Sequence, residues 1–128
     1  MNTLSGLDPK NYEATVDGKA TALYVLTNAT GAEICVCNYG GIIVSMMMPD
    51  RNGKLDNVVL GLNNIQDMVN EVNPYLGAAI GRYGNRIANG KFSIDGVEYT
   101  LPQNNATNCL HGGLRGFSHH VWDAEQRD

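Results

Sequence analysis

Residues 91–101 constrain the fold more than any other stretch of this chain. Phe92 and Ile94 alternate with polar residues, Asp95-Gly96 interrupts, and Val97, Tyr99 and Leu101 resume the alternation. A period of two puts every second side chain on one face of a strand. Asp-Gly suits the two central positions of a type I′ turn, both of which need positive φ. The stretch therefore predicts a β-hairpin. The same pattern recurs upstream. Residues 33–39 predict a half-buried strand broken by Gly40-Gly41, and residues 42–48 predict the next strand, stopped by Pro49. Asp50-Arg51-Asn52-Gly53-Lys54 has turn chemistry that suits a hairpin connection. Residues 57–61 read as a further short strand, and residues 64–70 have room for one or two helical turns. Val121-Trp122 begins like a strand near the end of the chain. Many short strands with regular turns predict an all-β sandwich or barrel.

A length of 128 residues is that of one domain, so residues 1–128 are read as a single β-rich unit. The composition, 43% hydrophobic and 17% charged, is that of a chain able to bury a core. A formal net charge of -4 argues against a nucleic-acid partner, which asks for a basic face. No apolar run approaches a membrane span, and the N-terminus lacks the basic start and apolar core of an export signal. A cytoplasmic location is the expectation. The odd count of three cysteines, Cys35, Cys37 and Cys109, then reads as reduced, mostly buried thiols. A zinc site wants a paired C-x-x-C spacing and a fourth ligand, and neither is present, so no metal is expected. Asn28-Ala29-Thr30 and Asn105-Ala106-Thr107 fit the N-glycosylation pattern, which carries no weight without an export signal.

Two glycine-rich clusters carry the chemistry: Gly81-Arg82-Tyr83-Gly84-Asn85-Arg86-Ile87 and Leu110-His111-Gly112-Gly113-Leu114-Arg115-Gly116. They set an amide, guanidinium groups and an imidazole among residues that let a backbone turn sharply or come close to a partner. A neutral polyhydroxylated ligand such as a sugar suits that mixture. Gly81, Gly84, Gly112 and Gly113 are expected at close approaches, whereas Gly40-Gly41, Gly53 and Gly96 are read as turns alone. The first cluster also fits the GXXG loop of an RNA-clamping KH domain. That loop must join two helices, and the flanks here are poor helix material. Each candidate has a plainer reading. Arg86 can pair with a structural carboxylate, Asn85 can serve a turn, and His111 can be a satisfied structural histidine. His119 and His120, adjacent in a presumed strand, point to opposite faces and are read as structural or surface residues.

Together, these motifs resemble the aldose 1-epimerases (galactose mutarotases). Residues 80–92 and 108–117, with Trp122, are similar to that family's most recognisable stretches. Asn38-Tyr39-Gly40-Gly41 and residues 56–61 fall where the family places similar runs. The resemblance implies a galactose-mutarotase-like β-sandwich, of which this chain supplies the N-terminal portion. It implies interconversion of the α and β anomers of hexoses such as galactose and glucose, with no cofactor. Position by position, Asn85 and Arg86 match the sugar-binding Asn-Arg pair, and His111 matches the first of two active-site histidines. The family's general-acid histidine and general-base glutamate have no positional match in residues 1–128, His119 and His120 lying too close to His111. The expected partners are an aldose and a complementary C-terminal segment or chain that supplies the missing pair. The competing expectation is a non-catalytic carbohydrate-binding β-domain or an inactive fragment.

Overall fold

A computed structural model describes residues 2–72 and 74–127. Its regular structure is mostly short antiparallel strands, joined by turns and loops. β1 (Ala14–Val16) and β2 (Lys19–Thr21) form a hairpin, and β3 (Leu23–Thr27), β4 (Glu33–Cys37), β5 (Ile42–Pro49) and β6 (Leu55–Asn57) form a four-stranded sheet in chain order. A single helical turn, α1 (Ile65–Val69), follows. β7 (Arg86–Ile87) then pairs with β10 (Cys109–Leu110), and β8 (Lys91–Ile94) with β9 (Val97–Thr100). No helix among the described residues is long and apolar enough to cross a membrane.

The four-stranded sheet owes its stability to one buried face. Cys35 and Cys37 are fully buried two residues apart on β4, and Ile42 and Val44 are buried on β5. Cys35 opposes Ser45 while Val36 opposes Ile43, so Val44 is an extra residue in β5. A bulge of this kind bends its strand, which is how Val44 and Ser45, adjacent in sequence, are both buried. α1 closes the core from the side with Ile65 and Met68. Its start is fixed by Asn64, whose Oδ1 accepts the Asp67 amide at 2.8 Å. Tyr12 enters from the N-terminal turn, fully buried, and donates its hydroxyl to the Leu62 carbonyl at 2.8 Å. All three cysteines are buried free thiols, as expected.

The hairpin predicted for residues 91–101 is present, with Asp95 at φ 49° and Gly96 at φ 80° across the turn. The Asp50–Lys54 turn connects β5 to β6, and Asp50 Oδ1 accepts the amides of Asn52 and Lys54 at 2.7 and 2.9 Å. Two readings need correction. The strand expected at 57–61 lies earlier, at Leu55–Asn57. Asn57 Oδ1 takes the Met46 amide at 2.9 Å, one last backbone bond runs from the Val58 amide to the Met46 carbonyl at 3.0 Å, and the Val58 and Leu60 side chains are exposed. The strand expected at Val121 amounts to one bridge with Tyr39, continued by a bond from the Trp122 amide to the Asn38 carbonyl.

Candidate functional site

The two glycine clusters meet through the β7–β10 ladder, where Arg86 opposes Leu110 and Ile87 opposes Cys109. Their loops then interlock at backbone level. The Phe117 amide donates to the Gly81 carbonyl at 3.1 Å. A Cβ on Gly112 would lie 2.0 Å from that same carbonyl oxygen, and one on Gly81 would lie 2.3 Å from a Phe117 ring carbon. Both glycines therefore serve the close approach expected of them, with backbone and ring as the neighbours. Gly84 meets only Ile80, at 3.6 Å. Gly40, read as a turn residue alone, is also a close approach: a Cβ there would lie 2.5 Å from the Ser118 carbonyl. The first cluster joins no pair of helices, so the KH reading is excluded by topology.

Asn85 and His111 hold one another. The Asn85 amide donates to His111 Nδ1 at 2.9 Å, and the His111 amide donates to the Asn85 carbonyl at 3.1 Å. Both residues sit at positive φ, 63° and 52°, a conformation that non-glycine residues keep only when their surroundings fix it. Because Nδ1 accepts, the neutral ring carries its proton on Nε2, which has no protein partner among the described residues. The ring edge rests against Tyr75, centroids 4.8 Å apart. Arg86 donates Nε to Asn105 Oδ1 at 2.8 Å and Nη1 to Asn85 Oδ1 at 3.4 Å. Its partners are amide oxygens, so the carboxylate pairing considered for it does not occur among the described residues.

A cavity of about 750 Å³ opens beside this ladder. Asn85 and Arg86 line it, together with Arg82, Arg115, Phe92 and Phe117. His111 does not. Its ring holds the Asn85 backbone amide and meets Tyr75, so two of the three predicted site residues line the cavity and the third braces Asn85. Arg82 lies over the Phe117 ring, 5.5 Å from its centroid, and Arg115 pairs with Asp17. His120 is exposed and also lines the cavity, at a place the sequence reading assigned to a strand. The premise there was a strand, whereas Phe117–His119 form a 3₁₀ turn. His119 is structural as expected: Nε2 pairs with Glu71 and Nδ1 meets Ser118 Oγ at 3.2 Å.

One organising residue escaped the sequence reading. Asn104 Oδ1 accepts the Leu110 amide at 2.8 Å, while Nδ2 donates to the Leu110 carbonyl at 3.0 Å and contacts the Gly113 carbonyl and Tyr75 hydroxyl at 3.3 Å. It pins the loop that carries His111. Its nearest sequence signal is the position just ahead of the second cluster.

The aldose 1-epimerase family profile matches residues 22–128, which include both glycine clusters and the ladder that joins them. The chain belongs to the aldose 1-epimerase family. Galactose mutarotase of Rattus norvegicus is 44% identical over 87 residues, covering 68% of this chain and 25% of that protein. Aldose 1-epimerase of Escherichia coli K12 is 34% identical over 106 residues, covering 83% of this chain and 30% of that protein. Among solved structures, a GalM/aldose epimerase homologue from C. elegans superposes with a TM-score of 0.78 at 29% identity, over 85% of this chain and 33% of that one. Galactose 1-epimerase from Lactobacillus acidophilus NCFM superposes with a TM-score of 0.73 at 32% identity, over 86% of this chain and 31% of that one. The fold class is thus the all-β sandwich of the aldose epimerases. This family member spans about a quarter to a third of the length of these relatives.

Proposed function

We propose that this chain supplies the sugar-holding part of an aldose 1-epimerase site for hexoses such as galactose and glucose. Arg86 and Asn85 bind sugar hydroxyls, and His111 supports the reacting centre through its hold on Asn85. The observation that carries this reading is the reciprocal Asn85–His111 pairing. It fixes Asn85 beside Arg86, whose guanidinium is already oriented by Asn105. Donors fixed in advance of binding lose little freedom when a neutral ligand arrives.

The reaction itself needs two proton transfers. A general base removes the proton from the anomeric hydroxyl while a general acid protonates the ring oxygen, and the C1–O5 bond breaks to give the open aldehyde. Rotation about C1–C2 presents the other carbonyl face, and closure returns both protons. Acid and base need matched pKa values and fixed positions. We assign that pair to a complementary C-terminal segment or chain, so the 128 residues alone hold aldose with little or no catalysis. The reading of a non-catalytic carbohydrate-binding domain shares the same three residues and differs only in whether a complement ever joins.

Nuclear magnetic resonance titration with galactose, paired with polarimetry of freshly dissolved α-glucose, tests this. The expected result is a shift of Asn85, Arg86 and His111 signals on sugar addition, with mutarotation near the buffer rate. Arg86→Ala should weaken binding about tenfold or more, since a bond to a charged donor contributes about 1.5–3 kcal/mol. Absence of any sugar response would overturn the assignment. Mutarotation well above buffer, abolished by His111→Ala, would show that the chain is an enzyme by itself and remove the need for a complement.

A further inference from the structure

We propose that Asn52 is a self-modification site, where the folded chain converts asparagine through a succinimide to aspartate and isoaspartate, and that the fold withholds this chemistry from Asn89. These are the chain's two asparagines followed by glycine, and both stand in the same local sequence, Asn-Gly-Lys. Sequence alone therefore gives them equal reactivity. The chemistry is separate from the sugar site and consumes only water.

The Gly53 main-chain nitrogen attacks the side-chain carbonyl carbon of Asn52. A C–N bond forms, the bond to Nδ2 breaks, and ammonia leaves with the proton that the attacking nitrogen gives up. Water then opens the five-membered ring at either carbonyl. Opening at the side-chain carbonyl gives aspartate. Opening at the main-chain carbonyl gives isoaspartate, in which the chain runs through the side-chain carbon. Glycine presents no side chain to obstruct the attack. What the reaction does require is that the peptide plane between the two residues turn toward the asparagine side chain.

The two pairs hold that plane very differently. Asn52-Gly53 lies in the turn that joins β5 to β6, and residues 50–54 are all exposed. The Asn52 side chain and main-chain carbonyl have no partner among the described residues. One hydrogen bond restrains the plane, from the Gly53 amide to the Asp50 carbonyl at 2.9 Å. A Cβ on Gly53 would meet nothing within 4 Å, so the space around it is open. Asp50 Oδ1 meanwhile keeps the amides of Asn52 and Lys54, so the plane can turn without unravelling the hairpin.

At Asn89-Gly90 the Asn89 carbonyl takes Gln103 Nε2 at 3.0 Å, and the Asn89 amide donates to Asn108 Oδ1 at 3.4 Å. Gly90 is buried, its carbonyl takes the Leu101 amide at 2.7 Å, and a Cβ on it would lie 2.7 Å from the Leu101 oxygen. Turning this plane breaks the Gln103 bond and drives backbone against backbone at the base of the β8–β9 hairpin. The Asn89 side chain is exposed too, so the grip on the plane, not solvent access, separates the two sites.

Conversion at Asn52 adds a negative charge two residues from Asp50, and isoaspartate inserts an extra main-chain carbon into the turn. Turn length fixes the register of a hairpin. β6 is an edge strand that pairs with β5 at three positions, Met47–Asn57, Met48–Asp56 and Pro49–Leu55. An altered turn loosens that short ladder.

The test ages the purified chain in mildly alkaline buffer, where the attacking nitrogen loses its proton more readily, and follows both asparagines by mass spectrometry of a chymotryptic digest. Conversion at Asn52 should outpace that at Asn89 by about tenfold or more, because the latter waits on local opening of several bonds. In concentrated urea the two rates should become similar. An isoaspartate carboxyl methyltransferase with labelled S-adenosylmethionine should mark aged wild type and not aged Asn52→Gln, whose longer side chain closes the ring poorly. Amide exchange in β6 should rise by about threefold or more in aged wild type and stay at its starting rate in Asn52→Gln. Equal rates at the two sites in the folded chain would overturn the proposal. So would an Asn52 that stays intact while the unfolded chain converts. A mass change at Asn52 without methyl acceptance would overturn the isoaspartate branch, and unchanged β6 exchange in the converted chain would overturn the effect on the ladder.

Discussion

β4 and β9 each carry an apolar pair two residues apart, Cys35 and Cys37 in one and Val97 and Tyr99 in the other, although Ile34 and Val36 make β4 apolar between them as well. Cys35 and Cys37 of β4 are nevertheless fully buried, whereas Val97 and Tyr99 of β9 are 55% and 45% exposed. The sheet around β4 is covered by Tyr12, Ile65 and Met68, contributed by segments before and after it. Among the described residues the ribbon around β9 has no such cover. Alternation thus decides which side chains share a face. What lies on that face is decided by elements far away in the chain.

If that contrast is sound, the widest gap between the two regions should appear in amide hydrogen exchange. Amides of β4 and β5 should open only with global unfolding, while those of β8 and β9 open locally at low free energy. The rates should differ by about a thousandfold or more, given global stabilities of about 5–15 kcal/mol for domains of this kind. Equal protection in the two ladders would break the comparison.

The next effect uses one substitution in two places. Ile65→Ala removes a side chain that is 1% exposed and leaves a cavity beneath the sheet, so a loss of about 2–5 kcal/mol is expected. Ile94→Ala removes the same atoms from a position that is 55% exposed, and should change stability by about 0.5 kcal/mol or less. Urea denaturation of both variants gives the difference directly. A large loss at Ile94 would mean that the ribbon face is already packed.

How far the sequence could be read follows the same division. The 91–101 hairpin was legible because its strands are long enough to show a period and its turn needs positive φ at both central residues. The β1–β2 hairpin turns through Asp17-Gly18 with the same signs, φ 51° and 76°, yet its three-residue strands are too short to show alternation. The end of β6 was misplaced because a side-chain oxygen of Asn57 captures a ladder amide, a choice that no periodicity encodes. At the site, Asn85, Arg86 and His111 were legible as a motif, whereas Asn104 matters only once β10 has folded back onto β7. The strand presumed for His119 and His120 was wrong, because a 3₁₀ turn carries the chain there.

The smallest effect sharpens the contrast through a hydroxyl. Tyr12 is fully buried and its phenol is pushed from 10.0 up to about 12, first by burial and then by the neighbouring Cys37 and Cys35. A raised folded value means that the unfolded chain ionises first. The contribution is complete below about pH 10 and is lost as pH climbs toward about 12. A shift of that size corresponds to roughly 2–3 kcal/mol. Burial also pushes the Cys35 and Cys37 thiols above 9.0, so the decline should begin before the phenol contributes to it. Urea midpoints measured from pH 7 to pH 11.5 should fall along the alkaline limb. Tyr12→Phe should start about 1 kcal/mol lower at pH 7, having lost the bond to the Leu62 carbonyl, and should then fall less steeply above pH 10. Tyr99→Phe on the ribbon removes a hydroxyl with no protein partner among the described residues, and should leave the pH 7 midpoint where it was. An alkaline slope unchanged by Tyr12→Phe would show that the sheet core is less closed than its burial implies.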